Sequence, residues 1–139
     1  VRNLVEAALA AGGVEHFVLV SSRGVAEPTH PLNRFAGNIL LWKGLGENAL
    51  RFSGLNYTIL RPGGLTDADG GEGIRAGTDA ALPPASIARA DVARACVAAL
   101  GNPAAFRKTL SLAGVPGGTP PDWPALFATV GEDNQARIG

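Results

Sequence analysis

The stretch LNYTILRPGGL, residues 55–65, contains a strand with an abrupt end. Its central residues are apolar or β-branched, a pattern typical of a strand buried on both faces of a parallel sheet. Pro62 lacks a backbone N–H and fixes the direction of the chain, so the strand ends there. Gly63 and Gly64 have no side chains and therefore allow another backbone or a ligand to come close.

A second buried strand, HFVLVSS at residues 16–22, precedes this one, and a long helix is predicted between them at residues 36–54. Gly44 and Gly46 weaken that helix, so we expect a neighbouring segment to approach it closely there. Another helix opens the chain and ends at Gly12-Gly13. Its expected buried face comprises Leu4, Val5, Ala8, Leu9 and Gly12. Helices that alternate with strands predict an α/β fold with a parallel sheet.

The rest of the chain continues this alternation. A helix with Asp91 near its start, where the helix dipole favours a carboxylate, is predicted at residues 86–102. A short strand at residues 108–114 and a final helix at residues 120–131 follow, and the end of the chain looks frayed. Two segments are predicted to be irregular: the proline-containing loop 23–35 and the Gly- and Asp-rich connection 67–85, expected to be mobile.

Composition limits the partners of the chain. Its 139 residues suit one domain, and 46% of them are hydrophobic. The 12 basic and 12 acidic residues cancel, which favours neither nucleic acid nor an anionic membrane as a partner. No apolar run approaches the roughly 20 residues of a bilayer span, so we expect a cytosolic protein. Cys96, the single cysteine, and both tryptophans, Trp42 and Trp123, are interpreted as packing residues.

The start of the chain suggests that the domain is incomplete. Val1 begins within a helix of the kind that normally links two parallel strands, yet no strand precedes it. We therefore expect residues 1–139 to be a single partial domain, lacking its N-terminal strands and its glycine-rich phosphate loop. The exposed sheet edge would then be covered by the missing half or by another copy of the chain.

Three blocks resemble a known family in order and spacing: AALAAGGVEHFVLVSSRGV (residues 7–25), PLNRFAGNILLWKGLGENALRFSGLNYTILRPGGLTD (31–67) and ARADVARACVAAL (88–100). Together they resemble the second half of the atypical short-chain dehydrogenase/reductases, the branch that includes NmrA-like proteins and flavin reductases of the biliverdin reductase B type. The resemblance covers roughly residues 3–112. It implies a Rossmann-like, doubly wound sheet with NAD(P) across the carboxyl ends of the parallel strands, NADP being slightly preferred.

The resemblance also implies roles for individual residues. The implied cofactor contacts are Ser21, Lys43, Arg61, Pro62, Gly63 and Gly64, and the implied catalytic residues are Ser22 and Lys43. Asn38 is a further catalytic candidate, through an amide offered to substrate or water, or else a polar residue at the start of a helix. Lys43 aligns with the family's ribose-binding lysine. Position 39, where the family's acid is a tyrosine, is Ile39. Tyr57 lies in a strand and is interpreted as a packing residue, so an acceptor that takes its proton from water, such as a flavin or a quinone, fits better than a ketone.

Other interpretations remain open. The protein is either an NAD(P)H-dependent oxidoreductase, a cofactor-sensing regulator without turnover, or a fragment that does not bind cofactor by itself. His30 is a candidate for proton delivery or simply an exposed loop residue, while His16 is interpreted as structural. The acids of the 67–85 connection lack the spacing of a calcium loop, and we expect no metal site but a solvated loop there. These acids are Asp67, Asp69, Glu72 and Asp79.

Overall fold

The structure is a computed structural model and describes residues 1–134. The frayed end predicted for residues 132–139 therefore falls mostly outside the described residues. The helices are α1 (Arg2–Ala11), α2 (Pro31–Phe35), α3 (Ile39–Arg51), α4 (Arg89–Ala99) and α5 (Trp123–Ala128). The strands are β1 (Phe17–Val20), β2 (Tyr57–Pro62), β3 (Leu65–Thr66), β4 (Gly73–Gly77), β5 (Ile87–Ala88) and β6 (Lys108–Val115).

The main sheet has the order β1-β2-β6-β4. Strands β1, β2 and β6 are parallel, with Leu19 opposite Ile59 and Leu60 opposite Leu110, and β4 runs antiparallel to β6. Strands β3 and β5 form a separate, two-stranded parallel sheet. The predicted strands in 16–22, 55–65 and 108–114 are confirmed, and so is the α/β class.

Different helices cover the two faces of the sheet, and each set of helices buries its own apolar core. On one face Val5 of α1 and Leu50 of α3 pack against Tyr57 and Ile59 of β2. On the other face α4 and α5 bury a larger core. That core includes Leu60, Val92, Ala95, Leu110, Leu112 and Phe127. Alternate residues of β2 thus point into different cores, as expected for a strand buried on both faces.

The connection 67–85 is more ordered than predicted. It contains β4, whose Ile74 is buried and whose five residues pair with β6 from Ser111 to Val115. The short strand lacks a helical or alternating pattern that would reveal it in the sequence. Its order comes from a partner about 40 residues further along the chain, a contact that local propensity does not encode.

The predicted helix 36–54 begins later than expected, and the predicted loop before it contains α2. Gly37 and Asn38 both adopt left-handed backbone angles, φ 59°, which separate α2 from α3. The side-chain oxygen of Asn33 accepts a hydrogen bond from the backbone N–H of Leu40 (3.0 Å) and so serves the first turn of α3. Gly46 lies against the side chain of Val1, which confirms the predicted close approach.

Several apolar residues that were predicted to be buried are exposed. On α1 only Val5 is buried, while Leu4 and Leu9 are 64% and 49% exposed. Trp42 is 68% exposed, so its interpretation as a packing residue is wrong. Among the described residues, α3 is the main helix beside α1, and it covers only one side of it. Trp123 and Cys96 do pack against the larger core, and Tyr57 is buried as predicted.

Candidate functional site

The ends of β1 and β2 form one edge of the site. The backbone N–H of Ser21 donates to the carbonyl of Leu60 (2.7 Å), and that of Arg23 donates to the carbonyl of Pro62 (3.1 Å). The segments that follow β1 and β2 therefore stay paired. Their carboxyl ends lie at the same edge of the sheet, as is usual for parallel strands. A cleft of about 510 Å³ opens there, which we call the Ser22 cleft. Its lining includes Ser22, His30, Pro62, Gly63, Gly64 and Pro84.

The glycines of the 59–65 stretch have a partner within the chain. A Cβ atom on Gly63 would overlap the carbonyl oxygen of Ala85. Gly64 accepts a hydrogen bond from the N–H of Ile87 (2.8 Å), and its Cα lies beside Ser86. The missing side chain of Gly63 is thus required by the fold, while other parts of Pro62, Gly63 and Gly64 still line the cleft.

His30 lines the Ser22 cleft from the loop before α2. Its Nδ1 atom accepts a hydrogen bond from the backbone N–H of Leu32 (3.2 Å). Because Nδ1 acts as an acceptor, the proton of the neutral imidazole resides on Nε2. The Cδ2 and Nε2 atoms lie directly over Gly24, where a Cβ atom would be only 2.8 Å from Cδ2. Absence of a side chain at Gly24 allows the ring to take this position.

A buried ion-pair cluster lies behind the cleft, between α3 and the sheet. Glu47 is fully buried and accepts two hydrogen bonds from Arg61, at 2.9 and 2.6 Å, in a bidentate arrangement. Arg51 donates to the same carboxylate at 2.9 Å. The guanidinium of Arg61 therefore points toward α3 and supports the site from behind, although the resemblance implied that Arg61 contacts the cofactor.

Glu47 is held in its ionised form. Burial by itself would raise the pKa of this carboxyl, but the hydrogen bonds and charge of Arg61, the neighbouring Ser21 and the charge of Arg51 together outweigh burial. The net effect is a pKa below the usual 4.5. Ser21 is 6% exposed, and its hydroxyl has no well-aligned hydrogen-bond partner among the described residues. It influences Glu47 by proximity and is not part of the cleft lining.

Two acids, Asp79 and Asp133, complete the polar cluster. Asp79 accepts hydrogen bonds from the hydroxyl of Ser111 and from the N–H of Gly24, so its interpretation as a solvated loop residue is wrong. Asp133 accepts from Tyr57 (2.9 Å) and Thr109 (2.7 Å). Burial and the adjacent Asp133 raise the pKa of Tyr57 well above its usual 10, which keeps the phenol protonated. A second cleft, of about 640 Å³, opens along this cluster.

The remaining predicted site residues are Lys43 and Asn38, which lie on or next to α3, and Ser22, which lies in the cleft. Lys43 is half-buried, one turn before Glu47, and does not line the Ser22 cleft. Asn38 precedes α3 in an exposed position, and its side chain makes no capping hydrogen bond. Ser22 is half-buried in the cleft, with its hydroxyl donating to the carbonyl of Arg23 (3.0 Å). The structure therefore brings together Ser22 and residues 62–64 but not the whole predicted set.

The volume of the Ser22 cleft lies within the range of small-molecule sites. The glycine-rich stretch 70–73 does not provide a phosphate site, because the N–H of Gly71 donates to Asp91 (2.7 Å).

Residues 1–103 match the model of a family described as NAD(P)H-binding. This chain belongs to that family. The match covers more than half of the chain and includes β1 and β2, whose carboxyl ends border the Ser22 cleft. It confirms the predicted resemblance to an NAD(P)H-binding family.

Two curated relatives and one solved structure define the neighbourhood. A chloroplastic protein of Arabidopsis thaliana, uncharacterised and designated At2g37660, is 46% identical over 93% of this chain and 42% of its own length. Sanguinarine reductase of Eschscholzia californica is 45% identical over 85% of this chain and 46% of its own length. A putative NAD-dependent epimerase/dehydratase of Bacillus halodurans has a TM-score of 0.78 and 26% identity, over 91% of this chain and 57% of that one.

These comparisons confirm the Rossmann-like fold. The chain spans less than half the length of the two curated relatives and little more than half of the solved structure. Within the described residues no helix has the length and apolar character required to cross a bilayer.

Proposed function

We propose that this chain forms the nicotinamide side of an NAD(P)H-dependent reductase of the atypical short-chain type, which passes a hydride to a small conjugated acceptor such as a flavin or a quinone. The observation that carries the proposal is the Ser22 cleft, where the carboxyl ends of β1 and β2 place Ser22 beside Pro62, Gly63 and Gly64. Membership of the NAD(P)H-binding family and similarity to a reductase support it.

The nicotinamide, when bound, supplies the hydride. Within the proposal Ser22 offers its hydroxyl to the nicotinamide amide or to the acceptor, Lys43 holds the ribose, and Asn38 faces the acceptor side. Pro62, Gly63 and Gly64 form the surface against which the ring lies. Ser21 and Arg61 act behind this surface through Glu47, since their side chains do not line the cleft. A cytosolic location and a preference for NADP also belong to the proposal.

His30 takes over part of the task of the family's tyrosine, whose position is occupied by Ile39. Its Nε2–H donates a hydrogen bond to the acceptor oxygen and stabilises the negative charge that develops as the hydride arrives. Because Nδ1 already accepts from Leu32, Nε2 is the ring nitrogen that donates here. The proton that completes the reduction comes from water.

Cofactor binding and turnover test the proposal directly. We would titrate the 139-residue chain, and the same chain extended upstream, with NADPH and NADH by calorimetry, and then offer menadione and FMN as acceptors. Binding together with cofactor oxidation supports the reductase, and the ratio of the two affinities measures the NADP preference. If neither chain binds either dinucleotide, the assignment of the Ser22 cleft is wrong.

A cofactor-sensing regulator is the second candidate. Ile39 in place of the tyrosine, and the burial of Tyr57 against Asp133, leave the described residues without a phenol at the cleft. Tight binding by the extended chain without oxidation by any acceptor favours the sensor. Binding by the extended chain alone shows that residues 1–139 are a fragment that needs the upstream half.

A further inference from the structure

The 79–85 segment forms one wall of the Ser22 cleft, which Asp79, Pro84 and Ala85 line together with Ser22 and Gly64. We call residues 79–85 the wall segment. It contains neither helix nor strand, and most of its residues are exposed. Such a segment needs tertiary contacts to keep one position, because loops with few contacts open at little cost in free energy.

Arg23 supplies those contacts at the start of the wall segment. Its guanidinium donates to the carbonyls of Asp79 (3.1 Å), Leu82 (2.7 Å) and Pro83 (2.8 Å). The side chain of Arg23 is only 16% exposed, and its Nε lies 3.6 Å from the Asp79 carboxylate. One rigid guanidinium thus gathers three carbonyl groups of a single turn.

Asp79 ties the same turn to two other parts of the chain. Its carboxylate accepts from the N–H of Gly24 (3.1 Å) and from the Ser111 hydroxyl of β6. The far end of the wall segment is held as well, since Ala85 sits on Gly63, and Ser86 accepts from the N–H of Gly114 (3.0 Å). The wall segment is therefore attached at both ends, and the Arg23 side chain joins Asp79 to Leu82 and Pro83 between them.

We propose that Arg23 is a positioning residue that determines which acceptors the Ser22 cleft admits, by fixing the distance between the wall segment and the end of β2. The inference rests on the proposed function, because it concerns the acceptor of that same site. Arg23 also lines the Ser22 cleft, and its proposed action runs through the wall segment, to which its guanidinium is hydrogen-bonded. Its effect is on the shape of the cleft and hence on acceptor size.

The planar fork of arginine is required for this role. Lysine offers three donors from one point at the end of a flexible chain, and it cannot reach carbonyls on both sides of a turn with the same geometry. Arg23→Lys should therefore retain the charge beside Asp79 but loosen the wall segment. Arg23→Ala removes both the charge and the hold.

The test compares Arg23→Lys and Arg23→Ala with Arg75→Ala, an exposed arginine on β4 that serves as the matched control. It uses whichever chain, 139 residues or extended upstream, oxidises NADPH. Two 1,4-naphthoquinones of different size, menadione and its 3-prenyl derivative, give a ratio of kcat/KM values. Hydrogen exchange of the backbone amides in residues 79–85 reports the hold on the wall segment, and calorimetry reports NADPH affinity.

We expect both Arg23 variants to raise exchange in the wall segment and to shift the kcat/KM ratio toward the larger quinone by about fivefold or more, with NADPH affinity within about twofold of the original. Faster exchange with an unchanged kcat/KM ratio would show that Arg23 only stabilises the loop. Unchanged exchange would show that Arg23 does not restrain the wall segment. Both results overturn the inference. Absence of turnover in the unmodified chain with every acceptor overturns the proposed function instead, and the specificity role with it.

Discussion

At the scale of single residues, the buried carboxylate of Glu47 needs charged partners to offset its loss of hydration. Its two arginine partners compensate for its burial, and each is itself largely buried. Removing one member of such a group leaves an uncompensated charge, which typically costs about 3–5 kcal/mol. Glu47→Gln should lower the free energy of unfolding by about that amount in urea titrations. The exposed pair Arg2–Glu6 provides the control. Glu6→Gln should change the free energy of unfolding by less than about 1 kcal/mol.

The same residue gives a pH dependence of stability with a definite sign. The folded-state pKa of Glu47 is lowered below its usual 4.5, so the folded state binds this proton less readily than the unfolded state. The contribution of Glu47 is therefore fully present above about pH 5 to 6 and is lost as pH falls through the folded pKa. The difference in unfolding free energy between the original chain and Glu47→Gln should shrink between pH 6 and the acid limit, roughly pH 3. A difference that grows toward acid pH contradicts the assignment.

His30 offers a pair of substitutions that separate two roles. Asparagine places an oxygen near the position of Nδ1 and keeps the bond from Leu32, whereas glutamine places its amide near the position of Nε2. If Nε2–H serves the acceptor, His30→Asn should lower kcat by about tenfold to a hundredfold and His30→Gln by much less. The opposite order would assign His30 to capping of α2 alone. Steady-state kinetics with menadione measure both.

At the scale of elements, the turn after β2 depends on its contact with the segment before β5. Gly63→Ala places a methyl group onto the carbonyl of Ala85, and overpacking of this kind costs about 1–3 kcal/mol. Gly131→Ala is the control, because a Cβ atom there meets nothing within 4 Å. Thermal unfolding should therefore show a lower Tm for Gly63→Ala only. Equal Tm values would mean that the turn shifts without cost.

The elements also show where local patterns suffice. Strands β1 and β2 follow from continuous apolar runs, and the end of β2 follows from Pro62. β4 is short and pairs with a distant strand, so its five residues resemble a loop when read alone. The break between α2 and α3 depends on two left-handed residues and on the Asn33 side chain, which a helical pattern does not reveal.

At the scale of the whole molecule, β1 is an edge strand that pairs only with β2 among the described residues. Its last residue, Val20, is 42% exposed, and unpaired strand edges invite association with another chain. We expect the 139-residue chain to self-associate at high concentration, and Val20→Lys to weaken that association while leaving the unfolding free energy within about 0.5 kcal/mol. Sedimentation at several concentrations measures this. A chain that is monomeric throughout contradicts the expectation.

The class of fold, the parallel strands and the family could be predicted from the amino-acid sequence alone, because buried strands, their ends and their order are each encoded by contiguous residues. The neighbours of the site residues, in contrast, became apparent only in the folded chain. Arg61 pairs with Glu47 of the preceding helix, Arg23 holds a turn 56 to 60 residues away, and Asp79 meets both Gly24 and Ser111. These partners come together when distant segments meet at one edge of the sheet. Such long-range contacts cannot be predicted from the residues adjacent to each partner in the sequence.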